Sequence, residues 1–374
     1  MSTPRDTTPH EIALLRLAAQ RVVGPPLDSP AGVVGLLTAV QAQEDAGAIT
    51  SIALRTARRD RSEVVAAYDA GEIVRSWPMR GTLHTVPARD LAWMLPLMTP
   101  RPRAAAAKRR PQLGLGEDDV MRADELAVAA LAGTGGRTRT ELLAVWDEAG
   151  LPTTGGRGYH LIVELAQRGV LCLGPFRGTA QLFVLLAEWV RKPRMLSRAE
   201  SLAEFALRYF RGHGPATVAD LSRWSGLAAA DVRAGVESAR DQLASRIVDR
   251  TTYLLDPAIP ALLDAHRKAA REVLLLPGFD EIILGYGDRS MTLAPEHADR
   301  IVPGGNGVFR PTVLVDGQVV GTWRHVGAGA KRRLEATPFT TFADDVAAAV
   351  AQRYADLPGR VRAPRSAARP GSSR

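Results

Sequence analysis

The chain has 374 residues, more than one hydrophobic core usually supports, so we expect two to four domains or repeated modules. No run reaches the roughly 18 apolar residues of a membrane span, and the N-terminus lacks a charged-then-apolar signal pattern. We therefore expect a cytoplasmic protein without a membrane partner, and a monomer. The single cysteine, Cys172, excludes an internal disulfide framework, and its apolar neighbours predict a buried, unreactive thiol.

The formal net charge of +8 is unevenly distributed along the chain. Five arginines and no acid lie in residues 360–374, and subtracting those five from +8 leaves +3 for the rest. The net charge is therefore weak support for nucleic-acid binding. Residues 357–374 are predicted to form a disordered basic tail.

The first predicted unit covers residues 8–100. Its apolar spacing predicts helices over 11–23, 31–43 and 64–70, followed by a two-stranded wing over 73–86. The second of these helices would end in Gln41–Ala42–Gln43. Along the wing, alternate residues are expected to share one face, and these residues are Arg80, Thr82 and His84.

Two further units begin with the same helix-start pattern. Thr138 and Thr217 are each followed three residues later by an acid and then by leucine and tryptophan, which predicts a capping box. A turn, a second helical segment and two short apolar strands follow in both cases. Helix-turn-helix plus a strand pair predicts winged helices over 118–190 and 196–258.

Beyond about residue 270 the apolar period changes from helical to strand-like. Asp316–Gly317 separates two apolar runs and is a strong signal for a two-residue hairpin. We predict a small β domain over 270–356, closed by a helix over 342–354. The Gly-rich segment 303–307 lacks the Gly-Lys-Ser/Thr ending of a phosphate loop. The expected fold class is therefore α+β.

Gln41 and Gln43 form an unusual pair, because a helix interior would favour hydrophobic residues there. On a helix, side chains two residues apart point about 200° apart, so both could face one pocket only where the helix ends. Glutamine can hold a water or a base edge but cannot take a proton at pH 7. Spacing alone favours two exposed polar residues that close a helix, with a functional pair as the alternative.

Other chemical motifs are absent or ambiguous. The histidines have no metal-binding spacing, and no dinucleotide, serine-hydrolase or P-loop motif is present, so we expect neither metal nor cofactor. Glu44–Asp45 and Asp280–Glu281 could each supply a general base. The favoured explanations are solvated turn residues for the first pair, and an ion pair of Asp280 or Asp288 with Arg289. His84 is expected to be packed or hydrogen-bonded rather than catalytic.

Five motifs carry a family resemblance, and they are Val40–Gln43, Arg80–His84, Leu276–Glu281, Leu284–Ser290 and Val308–Gly317. Together they resemble the tandem winged-helix DNA glycosylases of the azinomycin-resistance type, over the chain up to about residue 350. The resemblance implies three winged helices that form a C-shaped cleft around duplex DNA, with a C-terminal β domain. It also implies that Gln41 and Gln43 are catalytic. Glutamine rather than aspartate at position 43 places the chain in the antibiotic-resistance branch.

The implied activity is that of a monofunctional DNA glycosylase. It would hydrolyse the N-glycosidic bond of N7-alkylguanine in double-stranded DNA, including bulky antibiotic adducts and interstrand crosslinks, and leave an abasic site. N7 alkylation makes the purine cationic, so the base can leave without protonation. Two amides could then orient a water toward C1′ without a carboxylate base. No lyase activity is expected, because no lysine lies near these motifs.

The remaining site candidates are DNA contacts. The loop 303–309 is expected to enter the minor groove as a hairpin, with an ordinary surface turn as the alternative. The arginines are expected to contact phosphates, with solvated or structural arginines as the alternative. The candidates are Arg80, Thr82, His84, Arg289, Asn306, Val308, Phe309, Arg310 and Arg324.

Two other functions remain open at this point. One is a winged-helix regulator or drug-sequestering protein without catalysis, whose recognition helices should begin with base-reading side chains. The candidate helix of the third unit instead begins Ala228–Ala229–Ala230–Asp231. The other is a hydrolase that acts through Asp280 or Glu281.

Overall fold

A computed structural model describes residues 5–327 and 331–359. Helices and sheets are mixed along the chain, which confirms the α+β class. Within the described residues, no helix is both long and apolar enough to cross a bilayer.

The N-terminal segment contains helices, a short strand and a β-hairpin. Its elements are β1 Arg5–Asp6, α1 Pro9–Ala19, α2 Pro30–Leu37, β2 Val40–Gln41, α3 Asp45–Leu54, α4 Arg61–Asp69, β3 Ile73–Met79, β4 Thr82–Pro87, α5 Leu91–Met98 and α6 Pro100–Ala107.

The helix predicted over 31–43 is wrong in its second half. α2 ends at Leu37, and Thr38 takes a positive φ of 66°. Val40 and Gln41 then pair with β4 as an antiparallel strand. The apolar spacing of this run fits a helix as well as a strand, and the pairing with a distant strand decides between them. Gln41 therefore lies on extended backbone and not at the end of a helix.

Two later segments repeat the order of helices followed by a hairpin. The second contains α7 Glu117–Leu131, α8 Arg139–Glu148, α9 Arg157–Arg168, β5 Leu171–Arg177, β6 Ala180–Leu185 and α10 Leu186–Trp189. The third contains α11 Arg198–His213, α12 Val218–Ser225, α13 Ala229–Ala239, β7 Ala244–Val248 and β8 Thr251–Leu255, and α14 Ile259–Arg271 follows it. Both predicted capping boxes are confirmed, at the start of α8 and of α12.

One strand position recurs in all three segments. Gln41 pairs with β4, Arg137 bridges Phe183 in β6, and Ala216 bridges Leu254 in β8. Each lies between the first and second helix of its segment and pairs with the last strand of the hairpin. The three helices of the first segment that correspond to those of the other segments are therefore α2, α3 and α4. The sequence prediction instead took α1 as the first of the three helices and missed α3.

The hairpins do not stand free as separate wings. Those of the first two segments join in a five-stranded sheet of order β2-β4-β3-β5-β6, where Arg75 lies opposite Leu173. The third hairpin forms a three-stranded sheet with β1, which runs parallel to β7. The hairpin that carries Arg80 and His84 is therefore flanked by β2, which pairs with His84 and Thr85, and by β5, which pairs with Arg75.

The C-terminal segment is built around a four-stranded antiparallel sheet of order β12-β11-β10-β9. Its elements are β9 Leu274–Leu276, α15 Glu281–Leu284, α16 Ala298–Ile301, β10 Thr312–Val315, β11 Gln318–Val326, β12 Arg333–Pro338 and α17 Asp344–Ala355. The predicted Asp316–Gly317 hairpin is confirmed, and its two turn residues have φ values of 50° and 76°.

Two predictions at this end of the chain need correction. The loop 303–309 is not a β-hairpin, because Pro303–Gly305 forms a 3-10 turn after α16, and proline has no N–H for strand pairing. Leu357, predicted to start the disordered tail, is buried with Val350 and Tyr354. Residues 360–374 of that predicted tail lie outside the described part of the chain.

The largest hydrophobic cluster joins the first segment to the third. It contains Val74 and Met79 of β3 together with Phe205 and Trp224, whose rings stack at 5.5 Å. Because both segments share this core, the β3–β4 turn is held against α12. This packing positions the site described next.

Candidate active site

Gln41 ends the short strand β2, and Gln43 lies in the bend that follows it. The side chain of Gln41 is 7% exposed, Ala42 is fully buried and Gln43 is exposed. The Ala42 N–H donates to the Leu83 carbonyl (2.8 Å). The strand ends at Gln41, and Gln43 lies in the bend before α3, so the two side chains are not separated by a helical turn.

Arg80 holds the side chain of Gln41 from the tip of the β3–β4 hairpin. Its Nη2 donates to Gln41 Oε1 (3.3 Å), and its Nη1 donates to the backbone carbonyl of Trp224. Arg80 and Gly81 have φ values of 52° and 71°, a two-residue turn that places arginine in a conformation glycine or asparagine normally takes. Burial, with Arg223 nearby, lowers the pKa of Arg80, while Glu281 opposes this. Within the described residues, the hydrogen-bond acceptors of Arg80 are neutral groups.

His84 lies below Arg80 and has no exposed surface. Its Nδ1 hydrogen-bonds the Thr82 carbonyl (2.9 Å) and its Nε2 lies 3.3 Å from Arg80 Nη2. Burial and the charge of Arg80 lower the pKa of His84 to about 3, so it is neutral and its Nε2 accepts from Arg80. Because His84 is fully buried within the protein, its side chain cannot contact DNA in this structure, and the predicted DNA contact of His84 is not supported. Thr82 is half-buried and donates to the Met79 carbonyl.

Glu281 supports the backbone of Gln41 from below. Its Oε1 accepts from the Gln41 N–H (2.9 Å), and its Oε2 accepts from Trp224 Nε1 (3.0 Å) and lies 3.4 Å from His213 Nε2. Burial alone would raise the pKa of Glu281, but His213 and the Gln41 N–H hold it below its ordinary value. A fully buried carboxylate with both oxygens bonded has no free face for a substrate, so a direct general-base role is not supported.

Asp280 forms a second buried ion pair behind the site. Its carboxylate bonds Arg55 at 2.9 Å and Ser51 at 2.7 Å, and all three side chains are buried. Burial raises the pKa of Asp280 and Arg55 more than offsets this. The predicted pairing of Asp280 or Asp288 with Arg289 is therefore wrong, because Arg55 occupies Asp280 and Arg289 Nε donates to the Ile283 carbonyl (2.7 Å).

The structure brings Arg289 and Phe309 together at the rim of the site. The guanidinium of Arg289 lies 5.2 Å from the Phe309 ring centre, and Phe309 contacts Phe279 at 5.8 Å. Phe279 has a positive φ of 60°, which is unusual for an aromatic residue. The other loop candidates, Asn306, Val308 and Arg310, are exposed.

Arg324 lies apart from this group. It is 70% exposed, pairs with Glu335 at 2.6 Å, and lines a cavity of about 870 Å³ that Glu44 also lines. The Glu44 carboxylate packs against Gly47, and this partial burial, together with the negative charge of Asp45, raises the pKa of Glu44.

The structure also bears on a metal site and on the reactivity of the single cysteine. No cluster of histidine, cysteine, aspartate or glutamate there could hold a metal ion. Cys172 is fully buried as predicted, and burial raises its pKa to about 12.

Comparisons with known proteins identify the family. Residues 34–358 match the family described as DNA glycosylase AlkZ-like. The chain belongs to the AlkZ-like DNA glycosylases. It is 30% identical over 336 residues to the "Interstrand DNA cross-link repair glycosylase" of Streptomyces sahachiroi. The aligned region covers 83% of this chain and 85% of the relative. The solved structure of "Streptomyces sahachiroi DNA glycosylase AlkZ" matches with a TM-score of 0.76 at 27% identity, over 94% of this chain and 96% of that one.

Membership in the AlkZ-like family decides between the functions left open by the sequence. The protein is a DNA glycosylase, a hydrolase of N-glycosyl bonds, and DNA is its partner. A regulator without catalysis is thereby excluded. The expected family resemblance and the mixed α+β architecture are confirmed, and the element order agrees with tandem winged helices.

Sequence reasoning missed several residues of this AlkZ-like site. Glu281 was considered only as a base, and the contacts of His213, Trp224 and Arg223 were not foreseen. Trp224 stood out in the capping pattern, but nothing local indicated that its indole N–H reaches a carboxylate 57 residues further along.

Proposed function

We propose that this glycosylase hydrolyses the N-glycosidic bond of N7-alkylguanine in duplex DNA and leaves an abasic site. The observation that carries the proposal is a pair of uncharged amides two residues apart, one buried at the end of β2 and one exposed in the bend that follows. Arg80 holds the Gln41 amide by its oxygen, and Gln43 is exposed two residues away. Gln41 and Gln43 are the proposed catalytic residues, and together they position the attacking water.

Uncharged catalytic amides suit this substrate for an electrostatic reason. Alkylation at N7 already places a positive charge on the purine, so its departure needs no proton from the enzyme. The remaining task is to hold a water against C1′ of an oxocarbenium-like sugar, which positioning alone can accelerate. The described carboxylate closest to Gln41 along its hydrogen bonds, Glu281, is occupied by the protein itself. Glu281 therefore cannot form a direct ion pair with the cationic base, which would stabilise the ground state.

The exposure of Gln43 supports bulky substrates. A base that must be flipped into a tight pocket has to be small. A catalytic amide at the surface can instead meet a lesion that stays in place. The relative from Streptomyces sahachiroi is named for interstrand cross-link repair, and we include crosslinks and bulky antibiotic adducts in the proposal.

The test compares abasic-site formation on duplexes that carry N7-alkylguanine, a bulky N7-guanine adduct or an uncharged base lesion. The wild type should act on the two cationic lesions only. Gln41→Ala and Gln43→Ala should each lower the single-turnover rate by about 100-fold, the order expected when a reacting group is misplaced. Gln352→Ala, an exposed glutamine on α17, is the matched control and should leave the rate unchanged.

Two results would overturn the proposal. One is cleavage of the uncharged lesion at the same rate as the cationic ones. The other is undiminished base release by Gln43→Ala.

A further inference from the structure

Arg223, on α12, was not singled out by the sequence and lies beside two arginines that were. We propose that Arg80, Arg223 and Arg289, here called the arginine triad, bind a backbone phosphate of DNA next to Gln41. The proposal rests on the DNA substrate of the proposed function, but not on which adduct is removed.

The triad is assembled from three separate parts of the chain. Arg80 is at the tip of the β3–β4 hairpin, Arg223 is on α12, and Arg289 follows α15. A β-carbon at Gly226 would lie 3.2 Å from Arg80 Cγ, and one at Gly287 would lie 2.8 Å from Arg223 Cδ. Arg223 therefore packs on the backbone two residues before Arg289, while Arg80 packs on the end of the helix that carries Arg223.

The positive charge of the triad is not neutralised within the described residues. None of its three guanidinium groups has a carboxylate within 4 Å among the described residues, whereas Arg55 has one and Arg208 has two. Asp220, which acts on Arg289 electrostatically, accepts hydrogen bonds from the Gly287 N–H at 2.8 Å and from Thr217, and it pairs with Arg16 at 3.9 Å. Burial lowers the pKa of Arg80 and of Arg289, and repulsion by Arg223 lowers both further.

The burial of Arg80 and Arg289, and the repulsion of each by Arg223, favour an anion beside these groups. Guanidinium forks match the oxygens of a phosphate geometrically and form charge-assisted hydrogen bonds with it. Arg80 also bonds the amide of Gln41. A phosphate held by the triad would therefore lie beside Gln41 and fix the position of the damaged strand relative to the proposed catalytic residues.

The test measures binding to an undamaged duplex as a function of salt concentration. Loss of one phosphate contact should reduce the slope of log affinity against log salt by about 0.9. Arg223→Gln should show this loss and Arg223→Lys, which keeps the charge, should not. Between 50 and 200 mM salt the wild type should then lose roughly 3.5-fold more affinity than Arg223→Gln.

Arg198→Gln is the matched control. Arg198 is 59% exposed on α11 of the same segment, but Asp231 neutralises it at 2.8 Å, so its loss should leave the slope unchanged. Arg223 is exposed and has no carboxylate partner, so Arg223→Gln should unfold at the wild-type temperature. An Arg223→Gln slope equal to that of the wild type, or an equal change in Arg198→Gln, would overturn the proposal.

The two proposals can fail separately. The salt slope is measured on DNA without a lesion and needs no cleavage, so it tests the triad alone. A flattened slope in Arg223→Gln together with full cleavage by Gln43→Ala would retain the phosphate site and reject the proposed chemistry. An unchanged slope with inactive glutamine variants would do the opposite.

Discussion

At the scale of single residues, His84 shows how burial fixes the chemical state of a side chain. Its Nδ1 faces the Thr82 carbonyl and its Nε2 faces the guanidinium of Arg80. A proton on Nε2 would meet the positive charge of Arg80 without water to screen it. The neutral form is therefore part of the support for Arg80, and through Arg80 for Gln41.

This state predicts a pH dependence of stability. The pKa of His84 is about 3 in the folded protein and about 6.5 when unfolded, so between those values only the unfolded chain binds the proton. The contribution is complete above pH 6.5 and is lost as the pH falls. From pH 7 to pH 5 it should lower the free energy of unfolding by about 2 kcal/mol. Denaturant unfolding should show this loss in the wild type and a smaller one in His84→Asn. Equal losses would contradict the assignment.

At the scale of elements, the β3–β4 hairpin depends on a turn whose two central residues both have positive φ. Gly81 has a φ of 71°, and a β-carbon there would meet no atom within 4 Å. Gly35 in α2 likewise faces open space but has helical backbone. The two glycines thus differ in conformation and not in packing.

Alanine at these two positions should have opposite effects. Gly81→Ala places a β-carbon in a left-handed conformation and should destabilise the protein by about 1 kcal/mol. Gly35→Ala removes glycine from a helix interior and should stabilise it by about 0.5–1 kcal/mol. Thermal or urea unfolding of both variants measures the difference. Destabilisation by both would mean that packing, not backbone conformation, governs these sites.

Local signals were predictable from the sequence, and distant pairings were not. The capping boxes at Thr138 and Thr217 and the turn at Asp316–Gly317 depend on residues a few positions apart, and each is present. The strand at Gln41 was predicted as helix because its partner, β4, lies about 40 residues further along. The glutamine pair could be identified as a candidate, but its backbone geometry could not.

At the scale of the whole molecule, the site is assembled from segments far apart in sequence. Gln41 comes from the first segment, Trp224 from the third, and Glu281 from the C-terminal segment, 240 residues after Gln41. Glu281 joins the other two through a single carboxylate. Neither a winged-helix segment alone nor the C-terminal segment alone contains these contacts.

Glu281→Gln should therefore weaken both stability and catalysis. An amide presents one oxygen and one NH₂ group, so one of the two buried donors, from Gln41 or Trp224, loses its acceptor. That loss should destabilise the protein by about 1–3 kcal/mol. Displacement of the Gln41 strand should lower the single-turnover rate by about 10- to 100-fold, with little change in DNA affinity.

The matched control for this positioning role is Glu296→Gln, an exposed carboxylate in a surface turn. It should leave both the free energy of unfolding and the cleavage rate unchanged. A wild-type cleavage rate in a folded Glu281→Gln variant would show that Glu281 does not position Gln41.

Gln41, Arg137 and Ala216 occupy the same bridging position in three segments, so the three segments can be compared with one another. All three residues tie the stretch before a second helix to the last strand of a hairpin. The backbone pairing at this position therefore does not require a particular side chain, since an amide, a guanidinium and a methyl group all occupy it. What distinguishes Gln41 is its surroundings, because Arg80 and Glu281 contact it, and the proposed catalytic role of Gln41 therefore depends on these neighbours and not on the backbone pairing.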